Sequence, residues 1–115
     1  MSKFKINGGN PLTGEIYVAG NKNAALPILA ATLLTDDGCM IENIPEIKDV
    51  ISMMTLLENL GKSVERLTEN RFRITGTIKH SHPKDELTSA LRASILLLSG
   101  LLARTGEVTI VPPGG

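Results

Sequence analysis

The sequence predicts a mixed α/β (α+β) fold built on an internal repeat. Three observations carry this reading. Short alternating stretches intervene between apolar stretches at helical spacing. Gly, Pro and Asn gather at the joints between them. A gapless shift of 68 residues places Ala24–Pro45 on Arg92–Pro113 with six of 22 positions identical, Gly38/Gly106 and Pro45/Pro113 among them. One full repeat and part of a second are expected. Such units lean on their neighbours, because none buries its apolar face alone.

Taken in order, Phe4-Lys5-Ile6 is a short strand candidate, closed by Asn7-Gly8-Gly9-Asn10-Pro11. "GEIYVAG" (Gly14 to Gly20) alternates Ile16 and Val18 against Glu15, Tyr17 and Ala19, a strand with one buried face. "GNKNAALPILAATLL" then starts a helix near Asn23, a candidate N-cap, which runs to Leu34. Pro27 is tolerated if it falls in the first turn, where backbone N–H groups have no intrahelical partner. Asp36-Asp37-Gly38 ends the helix, and "CMIENI" follows as a strand stopped by Pro45.

A second helix is expected from about Glu46 to Leu60, with Ile47, Val50, Ile51, Met54, Leu57 and Leu60 on one face and Gly61 as its C′ residue. "KSVERL" and "RFRIT" form a hairpin about Thr68-Glu69-Asn70, whose mixed charges mark an exposed face. A polar connector, "GTIKHSHPKDE", leads to a third helix over roughly Asp85 to Arg104. "GEVTIV" reads as a strand, and the closing Pro112-Pro113-Gly114-Gly115 as a loop at which the repeat is cut.

The totals narrow the function. Twelve basic and twelve acidic residues in a chain of 115 give zero net charge, which argues against nucleic acid or a polybasic membrane contact. Two Phe, one Tyr and no Trp offer no base-stacking platform. The N-terminus has no apolar signal core, and the apolar run at Ala93–Ala103 falls short of the roughly 20 residues a membrane span needs. With a single cysteine, a reducing cytoplasmic setting is expected. Cys39 falls in an expected core strand, and His80 and His82 have no third ligand nearby, so no metal site is expected.

Two cations stand out. Lys22 sits directly before an expected helix end, which attracts anions and repels a lysine. Its presence there breaks a local rule, either as a solvated loop lysine or as an anion contact. Asn23 reads equally as a plain cap and as a ligand contact. Arg92 is the only charge between Glu86 and Arg104, and in the repeat it falls beside the Lys22–Asn23 register. It reads either as a partner of Glu86 or as a second anion contact. No nucleotide-loop pattern of the G-x-x-x-x-G-K-[ST] or G-x-G-x-x-G kind is present.

"GNKNAALPILAATLL", "IPEIKDVISMMTLLENLG", "LRAS" and "PPGG" together resemble the UDP-N-acetylglucosamine enolpyruvyl transferases (1-carboxyvinyltransferases), in register from residue 1 to residue 115. The related 5-enolpyruvylshikimate 3-phosphate synthases usually carry a G-S-K-S type motif where this chain has Gly20-Asn21-Lys22-Asn23. The resemblance implies transfer of the enolpyruvyl group of phosphoenolpyruvate to the 3-hydroxyl of UDP-N-acetylglucosamine, the first committed step of peptidoglycan synthesis. It implies cytoplasmic localisation and no metal or organic cofactor.

It also implies an inside-out α/β barrel of βαβαββ units, helices inside and sheets outside. Residues 1–21 would belong to the other domain of the whole protein, and residues 22–115 to the first part of the repeat-built one. By position, Lys22 resembles the catalytic lysine that contacts phosphoenolpyruvate, Asn23 its neighbour at the substrate junction, and Arg92 the arginine that binds the UDP-sugar. The family acid, a Cys or Asp that protonates the methylene carbon, would follow Gly115. The 115-residue chain alone is therefore expected to be inactive and to self-associate through exposed repeat edges. The other readings are a small α/β anion-binding module and an assembly module without catalysis.

Overall fold

The computed structural model describes residues 1–112. Four helices and three strands follow one another: α1 (Lys22–Ala31), β1 (Cys39–Ile41), α2 (Lys48–Leu60), β2 (Ser63–Thr68), β3 (Arg71–Thr75), α3 (Asp85–Ala90) and α4 (Leu97–Thr105). Single 3₁₀ segments extend α1 over Thr32–Leu34 and lead into α4 over Arg92–Leu96.

The strands form one antiparallel sheet in the order β1-β3-β2, with Cys39 opposite Ile74 and Val64 opposite Ile74 on the other side. The hairpin β2–β3 turns at Glu69-Asn70, as its polar turn residues predict. Phe72 and Ile74 face inward and Arg73 outward, the period-two pattern of a sheet covered on one side.

α2 lies between the sheet and the other helices. Val50, Met53, Leu56, Leu57 and Leu60 are fully buried on it. Met53 and Leu56 widen the expected apolar face, whereas Ile51 is 50% exposed and lies outside it. α2 ends as Gly61 predicts: the glycine takes φ 118°, and the Gly61 and Lys62 amides bond back to Glu58 and Leu57. The core joins both repeats. Leu29 and Leu33 of the first, and Leu97 and Leu101 of the second, are fully buried at positions the 68-residue shift equates. Each contributes about 1.5–3 kcal/mol of apolar burial.

Several expectations are corrected. Phe4–Ile6 and Gly14–Gly20 form no strand: residues 1–19 are exposed throughout, and Ile16 and Val18 are 92% and 83% exposed. A strand exists only against a partner strand, and none of the described residues offers these segments one.

The "GEVTIV" stretch is not a strand either. It runs beside the polar connector, and the Thr109 amide donates to the Ser81 carbonyl at 3.3 Å. The "CMIENI" strand stops at Ile41, because Asn43 turns left-handed at φ 58°. Cys39 is half-buried rather than in the core. Of the closing loop, Pro113–Gly115 lies outside the described residues.

The third helix is broken. Leu91 is extended (φ −130°, ψ 112°), so α3 ends at Ala90 and a fresh 3₁₀ start opens at Arg92. Buried Ser94 holds the break with a bond from its hydroxyl to the Thr88 carbonyl, 3.0 Å. Such side-chain bonds to the backbone compete with helix continuation.

Candidate functional site

Two helical segments lie side by side and point the same way. At one end, Lys22 and Asn23 of α1 face Arg92 and Ala93 across a hollow. Further along, Ala30 and Leu33 meet Gly100. At the far end, Arg104 donates to the Leu34 carbonyl and the Asp36 carboxylate. The positive ends of both segments therefore open on the same space.

α1 starts one residue earlier than expected. Asn21, not Asn23, is the N-cap: its side-chain oxygen accepts from the Asn23 amide at 2.6 Å. Lys22 is then the first helical residue, and Asn23 the second. Pro27 falls in the second turn rather than the first. It has no N–H to give the Asn23 carbonyl, one turn back on the same wall.

The hollow has a volume of about 570 Å³, within the range of small-molecule sites. Lys22, Asn23 and Arg92 all line it, together with Asp49. Leu26, Pro27, Ala93 and Leu96 give it an apolar floor. The break at Leu91 puts Arg92 at a helix start rather than mid-helix. Among the described residues no carboxylate lies within ion-pair distance of Arg92, so the pairing with Glu86 is not formed.

Lys22 does have a partner. Its Nζ lies 3.2 Å from Oδ2 of Asp49, in the first turn of α2, with the two side chains 47% and 42% exposed. Compensation for the lysine at the helix start thus comes from 27 residues away. Asp49 had no sequence signal of its own, since an acid in the first turn of a helix is ordinary.

Lys62 lies away from the hollow and, like Asp49, carries no local sequence signal. It is 4% exposed, and its Nζ donates to the Thr35 carbonyl at 2.5 Å and the Gly76 carbonyl at 2.8 Å. Burial pushes its pKa below the usual lysine value; nearby Asp36 and Cys39 oppose this, and Arg104 adds to it. His80 and His82 hold the connector, His80 against the Asn59 carbonyl at 2.8 Å and His82 beside Asp85 at 3.3 Å. Among the described residues no three His, Cys, Asp or Glu side chains group as metal ligands, and no helix is long and apolar enough to cross a membrane.

Residues 6–115 match the sequence profile of EPSP synthase (3-phosphoshikimate 1-carboxyvinyltransferase). The chain belongs to the EPSP synthase family. Within that family its relatives include the UDP-N-acetylglucosamine 1-carboxyvinyltransferases of Treponema denticola, 43% identical, and of Methylacidiphilum infernorum, 45% identical. Both matches cover 100% of this chain and 27% of the relative, so the chain spans about a quarter of the length of the curated relatives it matches.

Among solved structures, the enolpyruvyl transferase NikO from Streptomyces tendae superposes with a TM-score of 0.71 at 23% identity, over 86% of this chain and 23% of that one. The fold is thus the α/β enolpyruvyl transferase fold that the EPSP synthase family shares. The motif reading and the relatives agree on the carboxyvinyltransferase branch with UDP-N-acetylglucosamine in its name.

Proposed function

We propose that this chain forms one wall of an enolpyruvyl transferase site. The intact protein would move the enolpyruvyl group of phosphoenolpyruvate to the 3-hydroxyl of UDP-N-acetylglucosamine and release phosphate. The observation that carries this is the hollow shared by Lys22 and Arg92 where two helix starts converge. Phosphoenolpyruvate and a UDP-sugar are both polyanions. Fixed cations and oriented N–H groups bring them together without reorganisation.

Lys22 is assigned to phosphoenolpyruvate and to stabilising charge as the phosphate departs. Asn23 is assigned to the junction with the sugar hydroxyl, and Arg92 to the UDP-sugar. The acid that protonates the methylene carbon, and the group that faces the hydroxyl, are assigned to the three-quarters of the relatives' length that this chain does not span. The step belongs to peptidoglycan synthesis in the cytoplasm, and so to cell-wall growth, cell shape and division.

The test is a chimera in which this chain replaces the matching segment of the Treponema denticola relative. Phosphate release from phosphoenolpyruvate is expected only when UDP-N-acetylglucosamine is present, and Lys22→Met should abolish it. Release that ignores the sugar nucleotide, or that survives Lys22→Met, overturns the assignment. The chain alone is expected to show no turnover.

A second reading rests on a separate observation. Phe4, Ile6, Leu12, Ile16, Tyr17 and Val18 are each more than 80% exposed, and Ile28, Leu34 and Leu102 are about half exposed. This much bare apolar surface favours docking onto further protein or onto another copy. Sedimentation of the 115-residue chain is expected to show self-association, and a clean monomer at high concentration removes this reading.

A further inference from the structure

We propose that Asp49 is a resident competitor for Lys22: its carboxylate holds the ammonium while the hollow is free of anions, and must give it up for an anion to be held. The proposal rests on the reading that this hollow takes phosphorylated ligands, and it adds a residue which sets how tightly it does so. Three features lead to it. First, a site for anions carries a carboxylate on its wall, 3.2 Å from the Lys22 ammonium. Second, both side chains remain close to half exposed, so the pair is exchangeable rather than locked by desolvation.

Third, Asp49 lies in the first turn of α2, whose unpaired N–H groups favour a negative charge. When Lys22 turns to a ligand, the carboxylate is therefore left at a helix end that suits it. Arg92 has no such competitor among the described residues, so an incoming phosphate meets a free guanidinium first and takes Lys22 by exchange. The carboxylate then repels the bound dianion across the hollow. Simple anions are held loosely, inorganic phosphate leaves readily, and ligands with further anchoring groups are favoured over free phosphate.

The test is titration of inorganic phosphate into the 115-residue chain, followed by the amide NMR shifts of Asn23 and Ala93. Asp49→Asn is expected to bind phosphate about two- to fivefold more tightly than the unaltered chain, the scale of a contact between part-exposed charges. Asp49→Ser, which also removes the charge but differs in size, should behave alike and separates the charge effect from a folding defect. In a Lys22→Met background the gain from Asp49→Asn should largely vanish. If Asp49→Asn binds phosphate equally or more weakly, Asp49 is no competitor, while the anion hollow stands. If neither chain binds phosphate, the anion reading falls with the proposal.

Discussion

Asp36 and Arg104 stand at equivalent places in the two repeats, 68 residues apart, and their side chains meet at 2.5 Å. Arg104 also donates to the Leu34 carbonyl, so one guanidinium joins the exit of the first helical segment to the end of the second. Arg104→Met keeps most of the apolar stem and removes the fork. It is expected to cost about 0.5–1 kcal/mol in urea unfolding, because Asp36 remains half exposed. Most of the loss should disappear near 1 M salt. A loss that salt does not alter would mean that packing, not charge, is at stake.

Asn21→Ala removes the cap that receives the Asn23 amide. About 1 kcal/mol of stability should go with it, read from the urea midpoint. Asn21→Ser should recover most of that loss. Because Lys22 is the next residue, the capless chain should also hold phosphate more weakly than the serine variant does.

Lys62 gives a pH-dependent term. Its folded pKa lies below the ordinary lysine value of 10.5, so the unfolded chain binds more protons between the two values. Stability contributed through Lys62 therefore rises with pH across that window, and below it the cost of burying the ammonium is present in full. The difference in unfolding free energy between the unaltered chain and Lys62→Met should shift in favour of the lysine as pH climbs toward 10.5. A difference that stays flat with pH would show an unshifted lysine.

Gly61→Ala tests the close end of α2. The left-handed φ of 118° already disfavours any side chain, and a Cβ there would come within 2.7 Å of the Thr77 carbonyl and 2.9 Å of the Lys79 amide. The Lys79 amide donates to Leu60 at 2.8 Å and cannot yield without losing that bond. A loss of about 1–3 kcal/mol is expected by thermal or urea unfolding.

Much of this fold is legible from local chemistry. The apolar spacing of α2, its Gly61 stop and the Glu69-Asn70 hairpin are decided within a few residues, and they stand where those residues put them. So does the convergence of Lys22 and Arg92, which follows from setting two repeats in register. What escaped depends on distant chain. Whether Ile16 and Val18 lie in a strand is decided by an edge to pair with, and alternation alone supplies none. The partner of Lys22 comes from another helix, and its acid looks like any first-turn aspartate. The break at Leu91 was closer to view: Thr88, Ser89 and Ser94 punctuate an apolar stretch with hydroxyls that bond backbone carbonyls.

Gly100 carries a consequence for the far side of the molecule. Its missing side chain lets the second segment press against Leu33, where an added carbon would stand 3.2 Å from the Leu33 Cβ. The two segments thus meet like the arms of a clothes-peg, with the pivot at the glycine and the charged tips at Lys22 and Arg92. Gly100→Ala is expected to push the two segments apart by a few tenths of an ångström at Leu33, and amide NMR shifts at Asn23 and Ala93 check whether the change reaches the tips. The spacing of Lys22 and Arg92 is thus tied to a residue that lines no part of the hollow between them.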